Sequence, residues 1–373
     1  MRGAGRERKA GGTGSERERG RGGAGRDWPD LREWPGLYSR AMKALLSLAP
    51  GPADTLVLRD VPDPIPGTGE VLLRVKACGV NFPDALHIQD LYQVKLPRPF
   101  SPGGEVCGVV EQLGPGVTGF TEGDLVIGRC GSGGMAGKLA IAADRCVRIP
   151  SDTPPAQAAA FILTYATAWY ALVDRAMARP GETLLVLGAA GGTGCAAIDV
   201  GKALGLDVVA AASSPEKLAF AIETGARAGV VYPDRLDDKA AQKTLTDQFK
   251  ALVGPRGADI VFDPVGGPYT EPALRATGRD GRLLVVGFTA GIPRIPTNLI
   301  LLKVCQMVGV DWRDFTEQQP ARNARHVEAL VRLWQDGRLR PRVSATYPLE
   351  RAPEAIARLS DRQALGKLVV TID

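Results

Sequence analysis

The chain has 373 residues, 45% hydrophobic and 23% charged, with a formal net charge of +5, enough to bury two ordinary cores in a soluble, globular, two-domain protein. No run approaches the roughly 20 apolar residues of a membrane-spanning helix and no basic-then-apolar signal peptide opens the chain, so membrane insertion is not expected and the default compartment is the cytoplasm. Six cysteines lie scattered through apolar segments without a C-x-x-C pair, which reads as reduced, mostly buried thiols and not as a disulfide framework.

Residues 1–41 hold ten Arg and Lys against six acids, so four of the five net positive charges sit there and the body is nearly neutral. This Gly/Arg/Glu-rich leader is too poor in apolar residues to offset the entropy of ordering it, and it is expected to be a disordered, dispensable extension. Its interleaved acids weaken the alternatives of a nucleic-acid arm or an organellar presequence. From Met42 the strand pattern "MKALLSLA" begins. Short β-rich runs broken by Gly and Pro follow to about residue 160, among them "EVLLRVKACGV", "GEVCGVVEQLG" and "GDLVIGRC", and predict an antiparallel, barrel-like domain over 42–160.

Over 161–312 strands and helices alternate: "TLLVLG", a helix through Leu204, "DVVAAAS", a helix from Pro215, then "AGVVYP", "ADIVFD", "GRLLVVGF" and "CQMVGVDW". Continuous apolar runs separated by helices predict βαβ units on a parallel sheet covered on both faces. Residues 313–373 return to helix ("RHVEALVRLWQDGRL") and strand ("KLVVTID").

The first βαβ unit contains "LLVLGAAGGTGCAAIDVGKALG" (184–205), a strand, a glycine-rich turn and a helix, the setting a dinucleotide fingerprint requires. Against G-x-G-x-x-G it reads Ala189-x-Gly191-x-x-Gly194. Gly191 lets the backbone approach a pyrophosphate, Gly194 lets helix and strand pack closely, and the amides of Gly192 and Thr193 face the phosphate charge. The next strand ends in "AAASSPEK". Ser213 and Ser214 stand where an NAD site places its acid, with Lys217 one turn on; hydroxyls and a cation suit a 2′-phosphate, so NADPH is the expected cofactor. The plainer reading of Ser-Pro-Glu is an ordinary helix start.

With "ACGVNFPDAL" (77–86), "PGGEVCGVVEQLGPGV" (102–117), "LTYATAWYAL" (163–172), "GAAGGTG" (188–194) and "VVGFTAGIPRIPTNLILLK" (285–303), the sequence resembles the medium-chain dehydrogenase/reductases from about Met42 to Asp373. Within them it is similar to the zinc-free NADPH:quinone oxidoreductases, relatives of zeta-crystallin and of the 2-enoyl thioester reductases. The resemblance implies a GroES-like barrel domain interrupted by a Rossmann domain, a cleft between them, and a homodimer joined through the Rossmann edge strand near 305–311. It also implies nicotinamide contacts near Asn81 and Thr164, adenosine-side contacts at Ser213 or Ser214, Lys217 and Tyr232, and cover over the cofactor around Phe288.

The alcohol dehydrogenase branch resembles "CGVCH" and "PGHE" where this chain has "CGVNF" and "PGGE", so Asn81 and Gly104 occupy the ligand positions, and the chain holds only His87 and His326. Zinc needs about three N, S or O ligands in a preset geometry, and no metal is expected. His87 reads as a partly exposed loop residue. Without a metal to polarise it, the hydride acceptor must be electrophilic already: a quinone, an enone or an enoyl thioester. Asn81 is the leading candidate for orienting substrate or ribose, with an Asx-type turn cap as the structural alternative. Tyr92 matches the tyrosine of the enoyl thioester reductases and is either a proton donor, a wall or a hydrogen-bond donor to a quinone oxygen. Three functions stay open: an NADPH-dependent quinone reductase, a reductase of enoyl thioesters or α,β-unsaturated carbonyls, and a low-turnover NADPH-binding protein of crystallin or RNA-binding type. The near-neutral body gives nucleic acid little to hold, and no nucleic-acid or membrane partner is expected.

Overall fold

The computed structural model describes residues 41–373 apart from Asp237; the leader, read above as disordered, lies outside the described residues except for Ala41. β1 (Ala41–Leu46) and β2 (Val57–Pro62) pair antiparallel as a separate two-stranded sheet. Next come β3 (Glu70–Val80), α1 (Phe82–Ile88), β4 (Glu105–Leu113), β5 (Leu125–Arg129), β6 (Lys138–Ala142) and β7 (Cys146–Arg148). Short helices α2 (Pro155–Ala158) and α3 (Ile162–Trp169) lead into the alternating half.

That half comprises β8 (Thr183–Val186), α4 (Gly192–Ala203), β9 (Asp207–Ala212), α5 (Pro215–Thr224), β10 (Ala228–Val231), α6 (Lys239–Val253), β11 (Ala258–Asp263), α7 (Thr270–Ala276), β12 (Thr277–Val285), α8 (Asn298–Lys303) and β13 (Gln306–Gly309). Its sheet is parallel throughout, in the order β10-β9-β8-β11-β12-β13. Leu184, Leu185 and Val186 of β8 have no exposed surface. A central strand with helices on both faces has no solvent side, which is why it reads as an unbroken apolar run. The strand order reverses between β8 and β11, the place where doubly wound sheets open a crevice at their carboxyl ends.

The chain then runs through α9 (Trp312–Gln318), α10 (Pro320–Gln335), β14 (Val343–Pro348), α11 (Ala352–Ser360) and β15 (Lys367–Thr371). The last strand returns to the first half: a seven-stranded sheet runs β14-β15-β3-β4-β5-β7, with β6 also beside β3. Over 42–160 the strand pairs are antiparallel, whereas β14 and β15 of the returning segment pair parallel. Helix α11 joins them, and a helical crossover is the connection a parallel pair requires. The fold is thus a GroES-like domain carrying a Rossmann-type parallel sheet. Cys78, Cys107, Cys146, Cys195 and Cys305 are buried, Cys130 is half-buried, and none is paired. No described helix is long and apolar enough to cross a membrane.

Candidate active site

Strand β8 ends in a turn whose tightness is set by Gly194. A Cβ there would stand 2.3 Å from the carbonyl oxygen of Gly188 and 2.9 Å from the Cα of Ala189, so only glycine lets α4 start this close to its strand. Gly191 is the N-cap, and the first-turn amides of Gly192 and Thr193 have no partners within the helix, leaving a patch of positive potential suited to phosphate. These residues line a cleft of about 520 Å³ that reaches Ser213, Ser214, Lys217 and Tyr232 on one side and Asn81 and Thr164 on the other. Its length and its amide-lined middle fit a dinucleotide.

At the β9 end the two serines divide their work. The Ser214 hydroxyl caps α5, accepting from the Lys217 N–H at 3.2 Å, whereas the Ser213 hydroxyl accepts from Lys217 Nζ at 3.1 Å. Lys217 Nζ also donates to the carbonyl of Arg362 at 2.5 Å. The Arg362 guanidinium in turn donates to the Thr289 carbonyl at 2.9 Å, so the segment after α11 crosses the cleft to the Rossmann side. Burial lowers the pKa of Lys217, opposed by the neighbouring charge of Asp234. Tyr232 packs on Tyr269 with ring centroids 4.8 Å apart, and burial pushes its phenol pKa up.

On the barrel side, Asn81 is the N-cap of α1, yet its side chain does not cap. The Asp84 carboxylate accepts from the Asn81 N–H at 2.7 Å and the Asp84 N–H donates to the Asn81 backbone carbonyl at 3.0 Å. The freed amide group donates from Nδ2 to Gly79 O at 3.2 Å and Glu105 Oε1 at 2.9 Å, and accepts at Oδ1 from Lys367 Nζ at 2.6 Å. Lys367 also donates to Val80 O at 3.2 Å and forms a close ion pair with Glu105. Asp84 accepts a second bond from the Gly103 N–H at 3.1 Å; burial raises its pKa to about 6 against the pull of those bonds and of Lys367. Thr164 turns its hydroxyl back to the Ala160 carbonyl at 3.2 Å.

Phe288 and Tyr92 are not among the residues lining the cleft. Phe288 is half exposed beside it, next to Thr289, which does line it. Tyr92 packs against His87 with centroids 4.5 Å apart, and burial raises its pKa. His87 departs from the expected exposed loop position: it is buried at the end of α1 with Nδ1 unpartnered, because the 89–98 loop folds back over it.

The two halves also match known families. Residues 67–151 match the alcohol dehydrogenase GroES-like domain and 192–326 the zinc-binding dehydrogenase family. Quinone oxidoreductase-like protein 2 of cattle (Bos taurus) is 35% identical over 350 residues, 93% of this chain and 97% of its own. The chain belongs to the medium-chain dehydrogenase/reductase family. Among its other relatives, human quinone oxidoreductase is 30% identical over 89% of this chain and 98% of its own. A mycobacterial protein solved in complex with NADPH superposes with a TM-score of 0.80 at 27% identity, covering 88% of this chain and 99% of that one.

The family's alcohol dehydrogenases hold zinc, and the donors of this medium-chain dehydrogenase/reductase do not fit one. An amide and a glycine stand at two ligand positions, and the ammonium of Lys367 already neutralises Glu105 and meets Asn81. Among the described residues no cluster of three or more His, Cys, Asp or Glu could take a metal. Glu105, Lys367 and Arg362 belong to the site although motif spacing does not single them out. For the first two the available signal is a lone charge heading an apolar strand, in "EVCGVV" and "KLVVTI".

Proposed function

We propose that the protein transfers a hydride from NADPH to a quinone or a similarly electrophilic carbonyl acceptor. The observation that carries this reading is the constellation of Lys217, Ser213 and Arg362 at the end of β9. Where an NADH site offers a carboxylate to the ribose, this one offers a hydroxyl and cations, which favours a 2′-phosphate. Asp234, also at the cleft, helps keep Lys217 protonated. The amides of Gly192 and Thr193 would hold the pyrophosphate.

Bound in this cleft, the reduced nicotinamide supplies a hydride to an acceptor lying against it. Thr164 and Asn81 form the walls there. Asn81 acts chiefly as a wall of fixed orientation, because both of its N–H groups are already committed; one lone pair of Oδ1 is left for cofactor or substrate. A quinone that accepts the hydride becomes a hydroquinone monoanion, which takes one proton at oxygen, and water can deliver it. Tyr92, away from the cleft lining, is not needed for that step, which favours quinones over enoyl thioesters.

The test is oxidation of NADPH, followed by its near-ultraviolet absorbance, with an ortho-quinone offered beside a 2-enoyl thioester and NADH as the control cofactor. Turnover of the quinone with NADPH preferred is the expected result. Turnover of the enoyl thioester alone overturns the acceptor and promotes Tyr92 to proton donor. Binding of NADPH without turnover of either favours a non-catalytic, NADPH-binding role.

A further inference from the structure

The buried pair of Glu105 and Lys367 lies where the end of β3, the starts of β4 and β15 and the first turn of α3 come together beside Asn81. Glu105 on β4 has no exposed surface and Lys367 on β15 is 5% exposed. Oε1 of the carboxylate accepts from Lys367 Nζ and from Asn81 Nδ2, while Oε2 accepts from the backbone N–H of Leu163 at 3.0 Å. Leu163 lies in the first turn of α3, directly before Thr164, so one carboxylate bonds both the Asn81 wall and the backbone that carries the Thr164 wall.

The lysine stem completes the junction. A Cβ on Gly192 would stand 2.8 Å from Lys367 Cδ and 3.4 Å from Thr164 Cγ2, so the stem lies directly against the first residue of the cofactor helix. All three Nζ protons are used, on Val80 O, Asn81 Oδ1 and Glu105 Oε1. The amide of Asn81 is thereby fixed in orientation as well as in place, since Oδ1 must face the ammonium and Nδ2 the carboxylate.

The geometry points to Glu105 and Lys367 as positioning residues that set the spacing between the Asn81 wall, the Thr164 wall and the cofactor helix, and so the pose of the nicotinamide. This rests on the NADPH reading above. A buried ion pair is a poor means of stabilising a fold, because desolvation offsets its attraction; a role in geometry gives a reason for placing one at this junction. Near-attack alignment is lost with displacements on the order of 1 Å, so a loosened junction slows chemistry before it weakens binding.

Single variants leave one charge buried and unpaired, and Glu105→Gln is expected to lower Tm by roughly 10 °C. The decisive protein is the full chain carrying Glu105→Gln together with Lys367→Met, which removes both charges at nearly constant volume. Expected are a Tm within a few degrees of the unmodified protein, an NADPH Kd changed less than about threefold, and a kcat at least tenfold lower. The isotope effect with NADPH deuterated at the transferred position should rise as hydride transfer becomes limiting. The emission of bound NADPH gives a second readout that needs no turnover: its lifetime should shorten as the nicotinamide gains freedom. If the double variant keeps both kcat and emission lifetime, the positioning role is overturned while the NADPH reading stands. If the unmodified protein binds no NADPH, both fall together.

Discussion

Asp84 is a buried carboxyl whose two backbone hydrogen bonds and nearby ammonium do not fully offset its desolvation, so its pKa stands at about 6. The folded state therefore holds a proton that the unfolded chain, with an ordinary aspartate, releases near pH 3.8. The contribution is fully present below that value and is lost as pH rises through 6, amounting to roughly 3 kcal/mol across the window. Chemical denaturation between pH 4 and 7 should show a falling component that Asp84→Asn flattens; an unchanged slope in the variant would refute the assignment. Lys217 carries a second prediction. Lys217→Ala should weaken NADPH roughly 10- to 100-fold, the value of a charge-assisted hydrogen bond, and leave NADH within about twofold, as measured by titrating the two cofactors. The candidate residues of the β9 end were readable because they are sequence neighbours on one helical turn. The partners of Asn81 were not, because Lys367 lies 286 positions away and only folding puts them together.

Between strand and helix, the cofactor turn tolerates little change. Gly194→Ala must move α4 away from Gly188 by several tenths of an ångström or more. It should cost roughly 1–3 kcal/mol of stability and reduce the thermal shift that saturating NADPH produces, read by calorimetry with and without cofactor. A normal shift would mean that the turn yields without disturbing the phosphate amides. The elements most legible in the sequence are β8, β9 and β11, whose uninterrupted apolar runs follow from burial on both faces. The direction of β14 was not legible: its alternating half-exposed pattern says which face is covered but nothing about which neighbour it takes, and that neighbour is supplied by the crossover through α11.

For the molecule as a whole, exposed apolar side chains gather in and just before α8, the helix that leads into β13. Ile292, Leu301 and Leu302 are 82%, 78% and 72% exposed, and β13, which follows them in the chain, is an edge strand that pairs only with β12. Exposed leucines next to a free strand edge are costly in an isolated chain, and we propose that a second copy covers them in a homodimer. Light scattering should give twice the chain mass, and Leu301→Glu with Leu302→Glu should halve it while the parallel sheet stays folded by circular dichroism. A monomeric unmodified protein would overturn this.

The position of β15 has a consequence for the making of the protein. Strand β15 lies between β14 and β3, and Lys367 reaches a carbonyl 287 positions earlier in the chain. At roughly 5–20 residues per second, a ribosome delivers that strand about 15 to 60 s after β3. The parallel-sheet half is made within that interval and ends about 60 residues before β15, while β3 waits with its edge over Ala77–Val80 unpaired. The last partner of Asn81 to be synthesised is thus the ammonium that orients its Oδ1, and a nascent chain lacking it has the cofactor turn and Glu105 but not the contact that completes the Asn81 wall.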